Sequence, residues 1–113
     1  MRNKAFRASC TVTIFFMLSL VSAGLAQAQG SAPATFSAKC AACHGTDGKG
    51  ATTVGKSLGI QDLASPAVQG MSDTDLAQII VKGKNKMPAY GDSLKDPDIK
   101  DLVAYIRSLA AKK

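Results

Sequence analysis

At 113 residues, 46% of them hydrophobic, the chain has room for one domain and one core at most. Only 5% of the residues are aromatic and none is tryptophan, so a core built from large rings is excluded and a small domain of this kind calls for a staple. The formal charge of +6 comes without a dense Lys/Arg run or an interleaved aromatic platform, which excludes a nucleic-acid-binding surface.

Residues 1–28 read as a secretory signal peptide. Arg2, Lys4 and Arg7 lead, an apolar run follows from about Val12 to Val21, and Ala26-Gln27-Ala28 supplies small residues at both cleavage positions. An uncleaved membrane anchor is the rival reading, but the uninterrupted apolar stretch is shorter than the roughly 20 residues a span needs. Cys10 lies ahead of the apolar run, the wrong side for a lipid-bearing N-terminal cysteine, and leaves with the signal. Cleavage leaves one domain, residues 29–113, with eleven basic and eight acidic side chains. Export puts its two cysteines in an oxidising compartment, a bacterial periplasm or its equivalent, where a free thiol pair closes unless something else engages it.

Those two cysteines stand in Cys40-Ala41-Ala42-Cys43-His44, two thiols three positions apart followed by the only histidine in the chain. The spacing reads as a c-type haem attachment site. Each thiol can add across one haem vinyl group to form a thioether, and the adjacent imidazole is then held under the iron as proximal ligand. Such a cofactor supplies the apolar body that the composition lacks. Two other readings of the pair, a thioredoxin-like dithiol and half a zinc site, lack a βαβ pattern and a second cysteine pair.

The segment from Pro33 to Cys43 reads as a short helix, with Phe36, Cys40 and Cys43 near one face and Phe36 turned to the core. From Gly45 to Gly59 the chain is rich in glycine, lysine and threonine with no sustained apolar period, and reads as a loop wrapping the haem. A phosphate-binding loop is excluded there because the strand and helix flanks of that motif are missing. Ser72-Asp73-Thr74-Asp75 carries a capping-box signature followed by Leu76, Ile79 and Ile80 at helical spacing, which predicts a helix of about ten residues. Met71, just ahead of the cap, is placed to form a hydrophobic staple with Leu76. Asp96-Pro97 reads as N-cap and first helical residue of the clearest amphipathic helix, with Ile99, Leu102, Val103, Ile106 and Leu109 on its apolar stripe.

Between these helices lies the loop Gly83-Lys84-Asn85-Lys86-Met87-Pro88-Ala89-Tyr90-Gly91, in which Pro88 biases Met87 towards extended backbone. The CxxCH motif together with Lys86-Met87-Pro88 resembles the small class I c-type cytochromes, from about Pro33 to Leu109. The resemblance implies an all-α cytochrome c fold of three to four short helices and loops around one covalently attached haem c. It implies Cys40 and Cys43 as attachment points and His44 and Met87 as axial ligands, with Met71 the only competing methionine after cleavage. It also implies an aromatic pair in which Phe36 meets the C-terminal helix and Tyr105 meets the N-terminal one; a boundary tyrosine with a wet hydroxyl is the plainer account of Tyr105. The second nitrogen of His44 is expected to donate to a backbone carbonyl, although no nearby proline offers one.

With both axial positions filled, the function implied is outer-sphere electron transfer by a monomeric carrier with no catalytic residues and no membrane anchor after cleavage. The alternative is a haem enzyme or gas sensor with a labile sixth ligand. Lys82, Lys84 and Lys86 crowd the approach to Met87, and Lys39, Lys49 and Lys56 lie on the other segments expected near the haem. They read either as a docking surface for acidic redox partners or as a solvated face that keeps a small protein soluble.

Overall fold

A computed structural model describes residues 31–112; the signal peptide expected at 1–28 lies outside them. Six helices follow one another: α1 (Ser31–Lys39), α2 (Ala41–His44), α3 (Thr53–Leu58), α4 (Pro66–Gln69), α5 (Asp73–Lys82) and α6 (Asp96–Ala111). No strand forms among the described residues, only an isolated bridge between Lys84 and Met87. The fold is all-α, as the resemblance implies, with six helices among the described residues rather than three or four.

The additional helices are short and locally encoded. Thr52 caps α3 by accepting the Gly55 N–H at 2.8 Å, and Gly59 closes it in the left-handed region at φ 64°. Ser65 caps α4 with Pro66 at its first position. The stretch from Gly45 to Gly59 is thus a loop only in its first half. Its helix escapes a periodicity search because Val54 and Leu58 are left exposed, so no apolar stripe marks it. The helix expected over Pro33–Cys43 divides at Cys40, whose φ of −115° and ψ of −34° depart from the helical pair, giving α1 and α2.

The two principal helices start close to their sequence signals. Ser72 Oγ accepts the Asp75 N–H at 3.0 Å, and two aspartates in the first turn of α5 complement its dipole. For α6 the N-cap is Lys95 and not Asp96, with Pro97 in the first turn. The one-residue shift follows from Asp98, whose carboxylate reaches back to accept the Lys95 N–H at 3.2 Å.

The core is the crossing of α1, α5 and α6. Leu102 is 1% exposed and Phe36 2%, and the Phe36 and Tyr105 rings meet at 5.1 Å between centroids, tilted by 55°. The aromatic pairing of the terminal helices is therefore present, with Lys112 Nζ 5.5 Å from the outer Tyr105 ring centroid. Arg107, which the sequence reading passes over, pins the junction of α4 and α5 onto α6. Its guanidinium donates to the Gln69 carbonyl at 2.8 Å, to the Met71 carbonyl at 2.6 Å and twice to Asp73 Oδ1, at 2.8 and 3.0 Å. The planar five-donor fork lets one side chain make four such bonds in fixed directions.

Candidate haem site

A cavity of about 420 Å³ lies between these layers. Phe36, Leu76, Ile80, Leu102 and Ile106 contribute to its apolar walls; Cys40, Cys43 and His44 line it from α2 and the turn before it, and Met87, Pro88 and Tyr90 from the loop between α5 and α6. All four sequence-predicted site residues, 40 to 87 in the chain, therefore border one cavity. Met71 borders it as well, packed against the cluster that contains Leu76, in keeping with its place as a staple. Its carbonyl accepts a hydrogen bond from Arg107 on α6, as above.

The segment Cys40–His44 is tied to the loop that follows it. The His44 carbonyl accepts the Gly50 N–H at 2.6 Å, and the Cys43 carbonyl accepts the Thr52 hydroxyl at 2.8 Å. Gly45, immediately after the histidine, has φ 79° and ψ 157°, a region open to glycine alone. Cys40 and Cys43 are free and half-buried. Burial raises the Cys40 thiol above its ordinary pKa, partly offset by Lys39, and keeps it protonated at neutral pH. Burial likewise lowers the His44 pKa, which holds the imidazole in the neutral form that ligates metals.

His44 Nδ1 is buried without a hydrogen-bond partner, so the expected backbone acceptor is not met. Nε2 remains as the nitrogen available to the cavity. A neutral imidazole, a thiol pair and a thioether around one apolar space form a donor set suited to a covalently held haem. Among the described residues no group of three or more His, Cys, Asp or Glu side chains converges where a metal ion alone would sit.

The opposite wall is shaped by a tight loop. Lys84 and Met87 exchange backbone hydrogen bonds of 3.2 and 2.9 Å across Asn85-Lys86, with Asn85 at φ 54°. Gly83 at φ 74° and ψ 170° turns the chain out of α5, and a Cβ there would lie 2.5 Å from the Met87 carbonyl oxygen. Gly83→Ala is expected to lower unfolding free energy by about 1–3 kcal/mol, the cost of a glycine-only conformation. A denaturant titration checks this, and an unchanged midpoint would show that the loop closes by another route.

Of the lysines singled out in the sequence, Lys39, Lys84 and Lys86 border the cavity; Lys49, Lys56 and Lys82 do not. Tyr90, missed in the sequence apart from its place in the loop, borders it too and donates from its hydroxyl to the Lys39 carbonyl at 2.9 Å. Burial, and secondarily the neighbouring cysteines, raise its pKa and keep it a donor. No described helix is long and apolar enough to cross a membrane.

The chain is similar to known proteins over most of its length. Residues 27–106 match the family model described as cytochrome C oxidase, cbb3-type, subunit III. A cytochrome c6 of Thermosynechococcus vestitus is 33% identical over 110 residues, covering 97% of this chain and 96% of the relative. The cbb3-type cytochrome c oxidase subunit CcoP of Azospirillum brasilense is 36% identical over 76 residues, 66% of this chain but 26% of that protein. The solved structure of the KustC0563 c-type cytochrome superposes with a TM-score of 0.64 at 28% identity, covering 69% of this chain and 95% of that one. With the cysteine pair, the imidazole and the apolar cavity already in place, the chain belongs to the c-type cytochrome family and is an electron-transfer protein with one covalently bound haem c.

Proposed function

We propose that this chain carries single electrons between redox partners, with its haem c attached through Cys40 and Cys43 and held axially by His44 and Met87. The observation that carries the reading is the convergence of those four side chains on one apolar cavity although 47 positions separate the first from the last. When bound, the haem supplies a one-electron couple, and imidazole–thioether ligation raises its potential by favouring the ferrous state. The protein's own residues exclude water through the apolar walls, fix the imidazole through α2 and present the thioether on a constrained loop. With His44 and Met87 both holding the iron, no ligand position would be left for a substrate, and no catalytic role is proposed.

The reading includes export, cleavage of residues 1–28 and work as a monomeric carrier in the periplasm, serving a respiratory chain. Two measurements test the chemistry. Haem is expected to stay with the denatured polypeptide and to be lost from it when both Cys40 and Cys43 are replaced by alanine. Carbon monoxide is expected to leave the ferrous spectrum of the native protein unchanged; rapid binding would favour the enzyme or sensor with a labile sixth ligand.

Lys39, Lys84 and Lys86 at the cavity border are proposed to steer acidic partners, with Lys82 one turn away on the end of α5. Reduction of the ferric protein by a small anionic complex is expected to slow roughly tenfold or more as salt shortens the Debye length from about 30 Å to about 3 Å. A cationic complex of similar driving force is expected to accelerate over the same range. Equal, flat responses would leave the lysines as solvated surface.

A further inference from the structure

We propose that the Tyr90 hydroxyl positions the sixth ligand: its hydrogen bond to the Lys39 carbonyl holds the Met87 loop shut over the cavity and sets how readily that ligand is exchanged. The inference rests on Met87 as the ligand. The segment between α5 and α6 is fastened mainly to its own side of the molecule. Lys84 and Met87 bond each other, while the Tyr90 and Gly91 N–H groups donate to the Ile80 and Val81 carbonyls at 2.9 and 3.1 Å. None of these bonds reaches the segment that bears the cysteines. Among the described residues, the 2.9 Å bond from Tyr90 Oη to Lys39 is the one hydrogen bond that joins the methionine loop to the attachment segment, across 51 positions of sequence.

The acceptor is available because of the break at Cys40. In an uninterrupted helix the Lys39 carbonyl would receive the Cys43 N–H, but that N–H turns to the Cys40 carbonyl at 3.2 Å. The departure of Cys40 from helical geometry thus leaves a carbonyl adjacent to the first attachment cysteine, and Tyr90, three residues beyond Met87, occupies it. Phenylalanine would line the cavity equally well and could not donate. The ring therefore accounts for packing and the hydroxyl for registration of one wall against the other.

The test uses the ferric holoprotein in three forms: wild type, Tyr90→Phe and Val103→Ala. Val103 is buried in the helical core but does not border the cavity, so its truncation lowers global stability away from the cavity wall. Cyanide binding at saturating cyanide reads the rate at which the native sixth ligand leaves. That limiting rate is expected to rise roughly two- to tenfold in Tyr90→Phe, the range a neutral hydrogen bond commands, and to stay at the wild-type value in Val103→Ala. A wild-type rate in Tyr90→Phe overturns the proposal, as does an equal acceleration in both variants, because the hydroxyl would then act through global stability alone. The far-red band of methionine sulfur on ferric haem separates the two levels of inference. Its absence from the wild type removes Met87 ligation and this role together, whereas its presence with an unaltered Tyr90→Phe rate removes this role only.

Discussion

Met87→Ala is expected to abolish the far-red sulfur-to-ferric-haem band and to lower the reduction potential by about 0.1–0.3 V, a modest part of the roughly 0.8 V that axial ligands command. The thioether is a soft, uncharged donor that favours ferrous iron; alanine offers no donor, and water or an added ligand takes its place. Met71→Ala provides the comparison, since Met71 borders the same cavity. Its carbonyl is bonded to the Arg107 guanidinium on α6, and its side chain packs against the buried core cluster. Its truncation is therefore expected to cost packing and to leave the band in place. Loss of the band in Met71→Ala with retention in Met87→Ala would reverse the ligand assignment.

Phe36→Ala is expected to cost about 3–5 kcal/mol, the range for a buried aromatic replaced by alanine. For a domain of this size each kcal/mol shifts Tm by about 4–8 °C, so the melting temperature of the holoprotein should fall by at least roughly 12 °C. Phe36 merits this estimate because it belongs to three structures at once. It is 2% exposed, it meets Tyr105 on α6, and it borders the cavity one turn before Cys40. The cavity left behind would open beside the cofactor, where few large side chains can move in to fill it. Phe36→Leu, which keeps most of the volume, should lose less than half as much. A fall of only a few degrees in Phe36→Ala would place the stability of the fold elsewhere than the contact of α1 with α6.

The ends of α5 and α6 were legible because each signal is local. Ser72 needs only Asp75, three residues on, and the apolar stripe from Ile99 to Leu109 needs only the helical period. Where two local signals compete, sequence reading loses precision, as at α6, where Asp98 moves the cap from Asp96 to Lys95. The short α3 and α4 carry caps without stripes: Thr52 and Ser65 are plain once the helices are seen, but a six-residue or four-residue segment has too few turns to show a period. The break at Cys40 has no local signal in Lys39-Cys40-Ala41, all residues that a helix accepts.

The sequence by itself determined the chemistry available to this protein: two thiols and an imidazole within five residues, and a methionine before a proline, are covalent facts that no packing can alter. Only the tertiary structure decided how those groups are registered against each other. Arg107 reaches three acceptors 34 to 38 positions away, Tyr90 reaches Lys39 across 51, and His44 Nδ1 is buried without the acceptor expected for it. The reason is physical. Propensity, capping and period act within one or two turns of chain, whereas a side chain's distant partner depends on how the helices pack, which is set by the summed burial of the whole core.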